Sequence, residues 1–347
     1  MQTSREIVTR SIKFKNPERM PRDIWLLPWA DIHYPEVVKT FNERYPSDFI
    51  TCQYYYPPSN KVTGDAYKKG EYTDEWGCTF INLQDGIIGE VKEPIIQDIT
   101  DWRVVKPPYG QLPIDTKEPY DTITRFYDST NKFVISNCCA RPWERYQFLR
   151  GTENSMIDVM MPEQGGRDLL KAIHDFYLKE LEFWVKADVD AIMFMDDWGA
   201  QSQLLIPPKI WRQMFKPLYK DYCDLAHSEG KFAFMHSDGC ITEIYEDLIE
   251  VGVDVINSQL FTMDFAELEK KAKGKISFWG EIDRQHILPS KDPQAGRDAV
   301  RKVADHLYDP SGRIIAQFEF GMGANPETAL AVFDEWEKVD REQKKQN

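Results

Sequence analysis

Phe232-Ala-Phe-Met-His-Ser-Asp-Gly-Cys240 is the stretch from which the fold of this chain can be worked out. Its apolar first half predicts a buried β-strand, and its polar residues gather where that strand ends. His236, Asp238 and Cys240 alternate, so a continuing strand would place all three side chains on one face. Imidazole, carboxylate and thiol groups on one face could bind a metal or transfer a proton. In the alternative reading, Ser237 or Asp238 caps a following helix.

Size, composition and charge limit the fold and the partners of the chain. It has 347 residues, 42% of them hydrophobic and 13% aromatic, which excludes global disorder. The net charge of −14 argues against nucleic acid or an anionic membrane surface as the main partner. The N-terminal residues lack the apolar core of a signal peptide, no run is long enough to span a membrane, and the six cysteines form no CxxC pair. We therefore expect a cytoplasmic protein with free thiols.

Eight short apolar segments are predicted to form strands, with helix-like segments between most of them. Their apolar residues do not alternate strictly, which is typical of parallel strands covered by helices. Eight such units predict a single-domain (β/α)8 TIM barrel over residues 1–347, in preference to an open doubly wound sheet. The predicted strands are Asp23–Pro28, Phe49–Tyr54, Phe133–Cys139, Ala191–Asp197, Phe232–Asp238, Val253–Gln259, Ile276–Asp283 and Ile314–Phe320.

A long segment, residues 57–132, interrupts this pattern after the second predicted strand. It is rich in Tyr, Trp, Gly and Pro. Within it, Cys78–Leu83 and Ile87–Val91 predict a β-hairpin that turns around Gln84-Asp85-Gly86. We expect this insertion to cover the mouth of the barrel, where the carboxyl ends of the strands would form the active site.

The order of motifs over nearly the whole chain resembles the uroporphyrinogen decarboxylase superfamily. That superfamily includes the decarboxylases and the zinc-dependent methyltransferases that act on methylated corrinoid proteins. The motifs that carry the resemblance are Arg22–Glu36, Ala187–Asp197, Phe232–Gly239, Gly280–Asp283 and Asn325–Thr328, and Tyr72–Gly77 resembles an element of the methyltransferase-like branch. The two arginines with which true decarboxylases grip tetrapyrrole carboxylates correspond here to Pro28 and Ile32. Uroporphyrinogen is therefore not the expected substrate.

The resemblance also implies a metal site at the strand ends. The corrinoid methyltransferases bind zinc through a His-x-Cys pair after the fifth strand and a later Cys, and the corresponding residues here are His236, Asp238 and Glu319. This set implies a divalent metal, zinc in the relatives, held by harder oxygen ligands. Cys240 could add a thiolate if the turn brings it inward, or it could be a small apolar residue at a helix start.

Further residues are expected at the same rim. Asp196 and Asp197 should point to opposite faces, and Asp197 or Glu281 could handle a proton or simply accept hydrogen bonds from loop amides. Substrate binding is expected from a polar and aromatic set, although core packing is the alternative for the rings. This set is Trp29, His33, Tyr54, Trp76 and Asn257.

Three functions fit these features. The favoured one is a metal-assisted methyltransferase that moves a methyl group between a small methylated compound or thiol and a corrinoid protein. The first alternative is a decarboxylase of a substrate smaller than uroporphyrinogen. The second is a barrel that binds a corrinoid or tetrapyrrole without catalysis.

Overall fold

The structure is a computed structural model, and it describes residues 1–57, 59–113 and 116–346. Pro58, Ile114 and Asp115 of the predicted insertion, and Asn347 at the end of the chain, lie outside the described residues.

Strands and helices alternate along most of the chain. The strands are β1 (Trp25–Leu26), β2 (Phe49–Thr51), β3 (Gly70–Thr73), β4 (Thr79–Asn82), β5 (Glu90–Val91), β6 (Phe133–Ile135), β7 (Ala191–Met195), β8 (Phe232–Ser237), β9 (Val255–Ser258), β10 (Ser277–Trp279), β11 (Ile314–Ile315) and β12 (Glu319–Phe320). The helices are α1 (Ser4–Ile12), α2 (Pro28–His33), α3 (Pro35–Arg44), α4 (Lys117–Asp128), α5 (Pro142–Arg150), α6 (Thr152–Met160), α7 (Gln164–Trp184), α8 (Pro208–Met214), α9 (Lys216–Ser228), α10 (Tyr245–Val251), α11 (Phe265–Ala272), α12 (Pro293–Leu307) and α13 (Pro326–Gln346).

A curled sheet of seven parallel strands forms the centre of the fold, in the order β11-β10-β9-β8-β7-β6-β2. β1 pairs in parallel with β12, which continues the segment that begins with β11. Just before β2, the backbone N–H of Asp48 donates to the carbonyl of Arg22 at 2.9 Å, so the two ends of the sheet approach each other. The predicted α/β class with a parallel sheet is confirmed, and full closure as a (β/α)8 barrel stays a prediction.

The first strand is shorter than predicted. It covers only Trp25–Leu26 because Pro28 begins α2. Proline suits the first position of a helix, since its ring fixes φ and the missing N–H has no helical acceptor there.

The segment between β2 and β6 contains an antiparallel sheet of β3, β4 and β5. β4 pairs with β5, which confirms the predicted hairpin. The buried Asn82 closes it, because its Oδ1 accepts from the Gly89 N–H at 2.7 Å. The hairpin loop lies directly against α2: a Cβ on Gly86 would come within 2.6 Å of the Trp29 backbone.

Aromatic rings fill the interior of the curled sheet. Phe49 and Trp279 stack at 5.6 Å, and Phe133 and Phe234 stack at 5.6 Å. Inward-pointing side chains of several strands therefore form one apolar layer beneath the polar strand ends. Across the described part of the chain, no helix combines the length and the apolar character that a bilayer span requires.

Asp196 joins the end of β7 to the start of α5. Its side chain is fully buried and accepts hydrogen bonds from the N–H groups of Trp143 and Glu144 and from the hydroxyl of Tyr219. It therefore satisfies donors at the helix start that would otherwise have no partner.

We expect Asp196→Ala to lower the free energy of unfolding by roughly 2–4 kcal/mol, because three donors, two of them buried, would lose their acceptor. Urea unfolding followed by circular dichroism measures this loss. The control is Asp224→Ala, which removes an exposed ion pair with Lys220 and should change stability by less than about 0.5 kcal/mol. Equal unfolding midpoints for the two variants would contradict a structural role of Asp196.

Candidate active site

His236 lies at the carboxyl end of β8 and is buried, with only 7% of its surface exposed. Its Nδ1 is 2.6 Å from Oδ1 of Asn257, whose amide nitrogen in turn donates to the Trp279 carbonyl and to Gln317. Since the Asn257 oxygen can only accept, Nδ1 of His236 must carry the proton in this hydrogen bond. In the neutral imidazole the lone pair is then on Nε2, on the opposite side of the ring.

Two carboxylates face this nitrogen. Nε2 of His236 lies 3.6 Å from Oδ1 of Asp197 and 3.5 Å from Oδ1 of Asp238. The ligand atoms of the three residues all lie within 4.8 Å of one another, a spacing that could accommodate a metal ion. Oδ1 of Asp238 is buried and has no hydrogen-bond partner among the described residues, so a cation here would satisfy an otherwise unpaired oxygen.

The charges around His236 act in opposite directions. Burial alone would lower its pKa, but the nearby carboxylates of Asp238, Asp197 and Glu281 outweigh burial and raise it. For the carboxyl of Asp238 burial has the opposite effect and raises the pKa, although the nearby positive charges of His236 and Arg284 act to lower it. The site therefore favours a positive charge on or beside the imidazole.

Arg284 links two of the predicted ligands. Its guanidinium forms ion pairs with Oδ2 of Asp238 and, at 3.0 Å, with Oε1 of Glu319. The three-residue group contains Asp197, whereas Glu319 bonds to Arg284 instead. Cys240 is also outside the group, and its thiol lies 3.6 Å from the hydroxyl of Thr242.

Glu281 is buried just beyond β10, and neither of its carboxyl oxygens has a hydrogen-bond partner in the described structure. Burial raises its pKa to about 7, with a further increase from Asp238 that Arg284 opposes. Near neutral pH this carboxyl is thus divided between its acid and its base form, as proton transfer requires.

None of the three candidate ligands is among the described lining residues of the two larger cavities, whereas a smaller cavity of about 90 Å³ is lined by Glu281 and Arg284. Of the two larger cavities, the central one has a volume of about 500 Å³ and is lined by Trp25, whose ring lies 5.1 Å from that of His236. The outer one has a volume of about 390 Å³ and reaches the segment between β2 and β6. The two share the lining residues Asn137, Cys138, Cys139 and Arg141.

The predicted substrate-binding residues lie in different places. Trp76 is buried and lines the outer cavity, whereas Asn257 is hydrogen-bonded to His236.

Trp29 and His33 stack on each other along α2, with their ring centroids 4.1 Å apart. Tyr54 packs against Phe183 and Trp184, and neither Tyr54 nor the α2 pair is among the described lining residues of the two cavities. A substrate role for these five residues stays a prediction.

Sequence reasoning missed Arg141 and Arg284. Arg284 directly follows Glu281-Ile-Asp283, and Arg141 lies two residues beyond the predicted third strand. Their position just after strand ends was a usable signal, because side chains there converge on one rim.

Comparisons with known proteins identify the family and the fold. The family model described as uroporphyrinogen decarboxylase (URO-D) matches residues 74–339. Among solved structures, a methyltransferase from Methanosarcina mazei is 12% identical with a TM-score of 0.67, over 97% of this chain and 99% of that one. A Listeria monocytogenes protein assigned as a vitamin-B12-independent methionine synthase is 12% identical with a TM-score of 0.43, over 88% of this chain and 83% of its own. No curated protein sequence matches the chain.

The outer cavity also contains a titratable residue with a testable pH signature. Glu180 is buried on α7, and its Oε1 accepts from the Tyr56 hydroxyl at 2.6 Å. Burial raises the pKa of Glu180 from its ordinary value of 4.5 to about 7. Between these values the unfolded chain ionises while the folded protein keeps its proton, so folding stability falls as pH rises through this range.

We expect Glu180→Gln to stabilise the protein relative to wild type at pH 8 but not at pH 4.5 or below, because glutamine is never ionised. The difference between 4.5 and about 7 corresponds to roughly 3 kcal/mol at pH 8. Urea unfolding of both proteins at the two pH values measures it. Glu182→Gln on the same helix is the control, since that side chain is 48% exposed. A pH-independent effect of Glu180→Gln would show that Glu180 is ionised in the folded protein.

Proposed function

The chain belongs to the uroporphyrinogen decarboxylase family, and on this premise we propose that it is a metal-assisted methyltransferase. The methyl group would move between a small methylated compound or a thiol and a corrinoid protein. The observation that carries the proposal is the group of Asp197, His236 and Asp238 at the strand ends, in which the buried Oδ1 of Asp238 accepts no hydrogen bond from the described residues. The Methanosarcina mazei methyltransferase shares the fold over nearly its whole length, which supports the proposal.

One imidazole nitrogen and two carboxylates suit a divalent cation, and zinc is the ion we propose. Catalytic zinc sites commonly have three protein ligands from His, Asp, Glu or Cys and leave a fourth position open for water or substrate. Without a thiolate the set is harder than a thiol-activating site would be, which favours an oxygen-bearing substrate. When bound, the cation would act as a Lewis acid that polarises the substrate oxygen or sulfur whose methyl group is transferred.

The surrounding residues would hold this group in shape. Asn257 fixes the tautomer of His236 and so aims Nε2 at the two carboxylates. Arg284 holds one oxygen of Asp238 and leaves the other facing His236. The cost of burying carboxylates close together falls when a guanidinium or a metal shares their charge.

Glu281 is the residue we propose for proton transfer. A substrate oxygen that loses its methyl group keeps the electron pair of the broken bond and becomes negative. The buried carboxyl of Glu281 would donate a proton to that oxygen. It has no hydrogen-bond partner among the described residues, and the charges of Asp238 and His236 influence its pKa. In the reverse direction it would accept the proton again.

The direct test is methyl transfer under anaerobic conditions. Zinc-treated protein is incubated with methylcobalamin and thiol acceptors, or with cob(I)alamin and methoxylated donors, and the visible spectrum of the corrinoid is followed. We expect wild type to change the corrinoid spectrum and His236→Ala to be at least 100-fold slower, since it loses the only nitrogen of the group. His306→Ala, a change far along the chain on α12, is the control. Absence of transfer together with absence of retained metal would refute the proposal, and release of carbon dioxide would favour a decarboxylase instead.

A second prediction concerns metal affinity without turnover. We expect Asn257→Ala to weaken zinc binding roughly 10- to 100-fold, because the imidazole loses the partner that orients it. Competition against a chromophoric zinc chelator measures the affinity, and circular dichroism checks the fold. Asn131→Ala, at an exposed position, should bind zinc like wild type. If both variants match wild type, Asn257 does not orient a metal ligand.

A further inference from the structure

Arg141 lies where the two cavities meet. It is one of the four residues that line both, and 31% of its side chain is exposed. Within the described structure its ion pair is with Glu144, Nη1 to Oε2 at 3.9 Å, too long for a hydrogen bond. The thiol of Cys139, a weak acceptor, and the side chains of Tyr177 and Arg145 also lie near enough to act on its charge. A guanidinium has five N–H donors, so most of the hydrogen-bonding capacity of Arg141 is unused.

The second arginine of the outer cavity differs in this respect. Arg145 is buried and forms a short ion pair with Asp74 and a longer one, at 3.6 Å, with Glu75. Its charge is therefore compensated within the protein, whereas that of Arg141 faces the cavities. Among the described residues that line the central cavity, Arg141 is the only cation.

The central cavity extends from Arg141 to Trp25, a ring neighbour of His236, and its lining includes several apolar side chains. The rings of Trp25, Phe49 and Trp279 form much of its wall, and Trp25 contacts the ring of His236. Its volume of about 500 Å³ falls within the usual range of about 300–1,000 Å³ for small-molecule sites. Asp23 also lines it, but this buried carboxyl is hydrogen-bonded to Ser47. Burial raises the pKa of Asp23, which reduces its competing negative charge.

We propose that Arg141 binds the carboxylate of the substrate, and that the substrate class is a small organic acid with one carboxylate on an apolar, ring-sized body. The guanidinium fork matches a carboxylate in two parallel hydrogen bonds, and the aromatic wall accepts the ring. This assignment rests on the proposed function for the identity of the reacting end, which would face His236. The binding of the acid itself does not depend on methyl transfer.

Calorimetric titration with benzoate and with benzamide tests the proposal, because the two probes share a ring and differ in charge. We expect full-length wild-type protein to bind benzoate at least about 10-fold more tightly than benzamide. Arg141→Gln should lose about 10-fold or more in benzoate affinity while its benzamide affinity stays within about 2-fold. Arg141→Lys should lie between the two, since a lysine keeps the charge but not the fork.

Arg125→Gln, a change on the surface of α4, is the matched control and should bind both probes like wild type. Circular dichroism confirms that each variant is folded, and Arg141→Lys keeps the test valid if Arg141→Gln does not fold. Equal affinities of wild type for both probes, an unchanged benzoate affinity in the Arg141 variants, or no benzoate binding to wild type would overturn the proposal. Since no step uses a corrinoid, a failure of methyl transfer leaves this result interpretable, and the reverse also holds.

Discussion

The hydrogen bond between His236 and Asn257 is the interaction on which the candidate site depends. The two residues are cross-strand partners on β8 and β9, and Asn257 continues the chain of bonds to the Trp279 carbonyl on β10 and to Gln317 beside β11. The buried side-chain amide of Asn257 thus links residues of β8, β9 and β10 with the segment that follows β11. Because each member is buried, breaking one bond would leave polar atoms without partners, which is costly in a low-dielectric interior. The imidazole orientation is therefore fixed by the sheet itself and not by a loop.

Charge balance is the second constraint. A protein with a net charge of −14 gathers several carboxylates around one histidine, and Arg284 is the cation that bonds to two of them. The candidate ligand group contains Asp197 with His236 and Asp238, whereas Glu319 bonds to Arg284, and a ligand role for Glu319 stays a prediction. A bound divalent ion would compensate the remaining charge.

Pro28 and Ile32 are the residues that the sequence resemblance aligns with the two arginines of the decarboxylases. Pro28 begins α2, and Ile32 on the same helix is 51% exposed. Neither side chain carries a charge, so neither position supplies a cation to the cavities. Arg141 lies between β6 and α5 and lines the central cavity from there. The same barrel-like frame can thus present a positive charge from another rim position, since every strand end points to the same rim.

The sequence by itself determined where the parallel strands lie, the α/β class and the hairpin, because these depend on local periodicity and on residues adjacent in the chain. It did not predict β3 or the division of the eighth predicted strand into β11 and β12. It also put His236 and Asp238 close together, since only one residue separates them, although Asp238 lies just beyond the end of β8. Only the tertiary structure decided that Asp197 joins them, that Glu319 bonds to Arg284, that Asn257 orients the imidazole and that Arg141 lies between two cavities. Each of these outcomes depends on which polar or charged side chains from different strands come close to each other. Hydrogen bonds and ion pairs act over only about 4 Å, and strand register and loop paths, which no local sequence pattern encodes, decide which groups come that close.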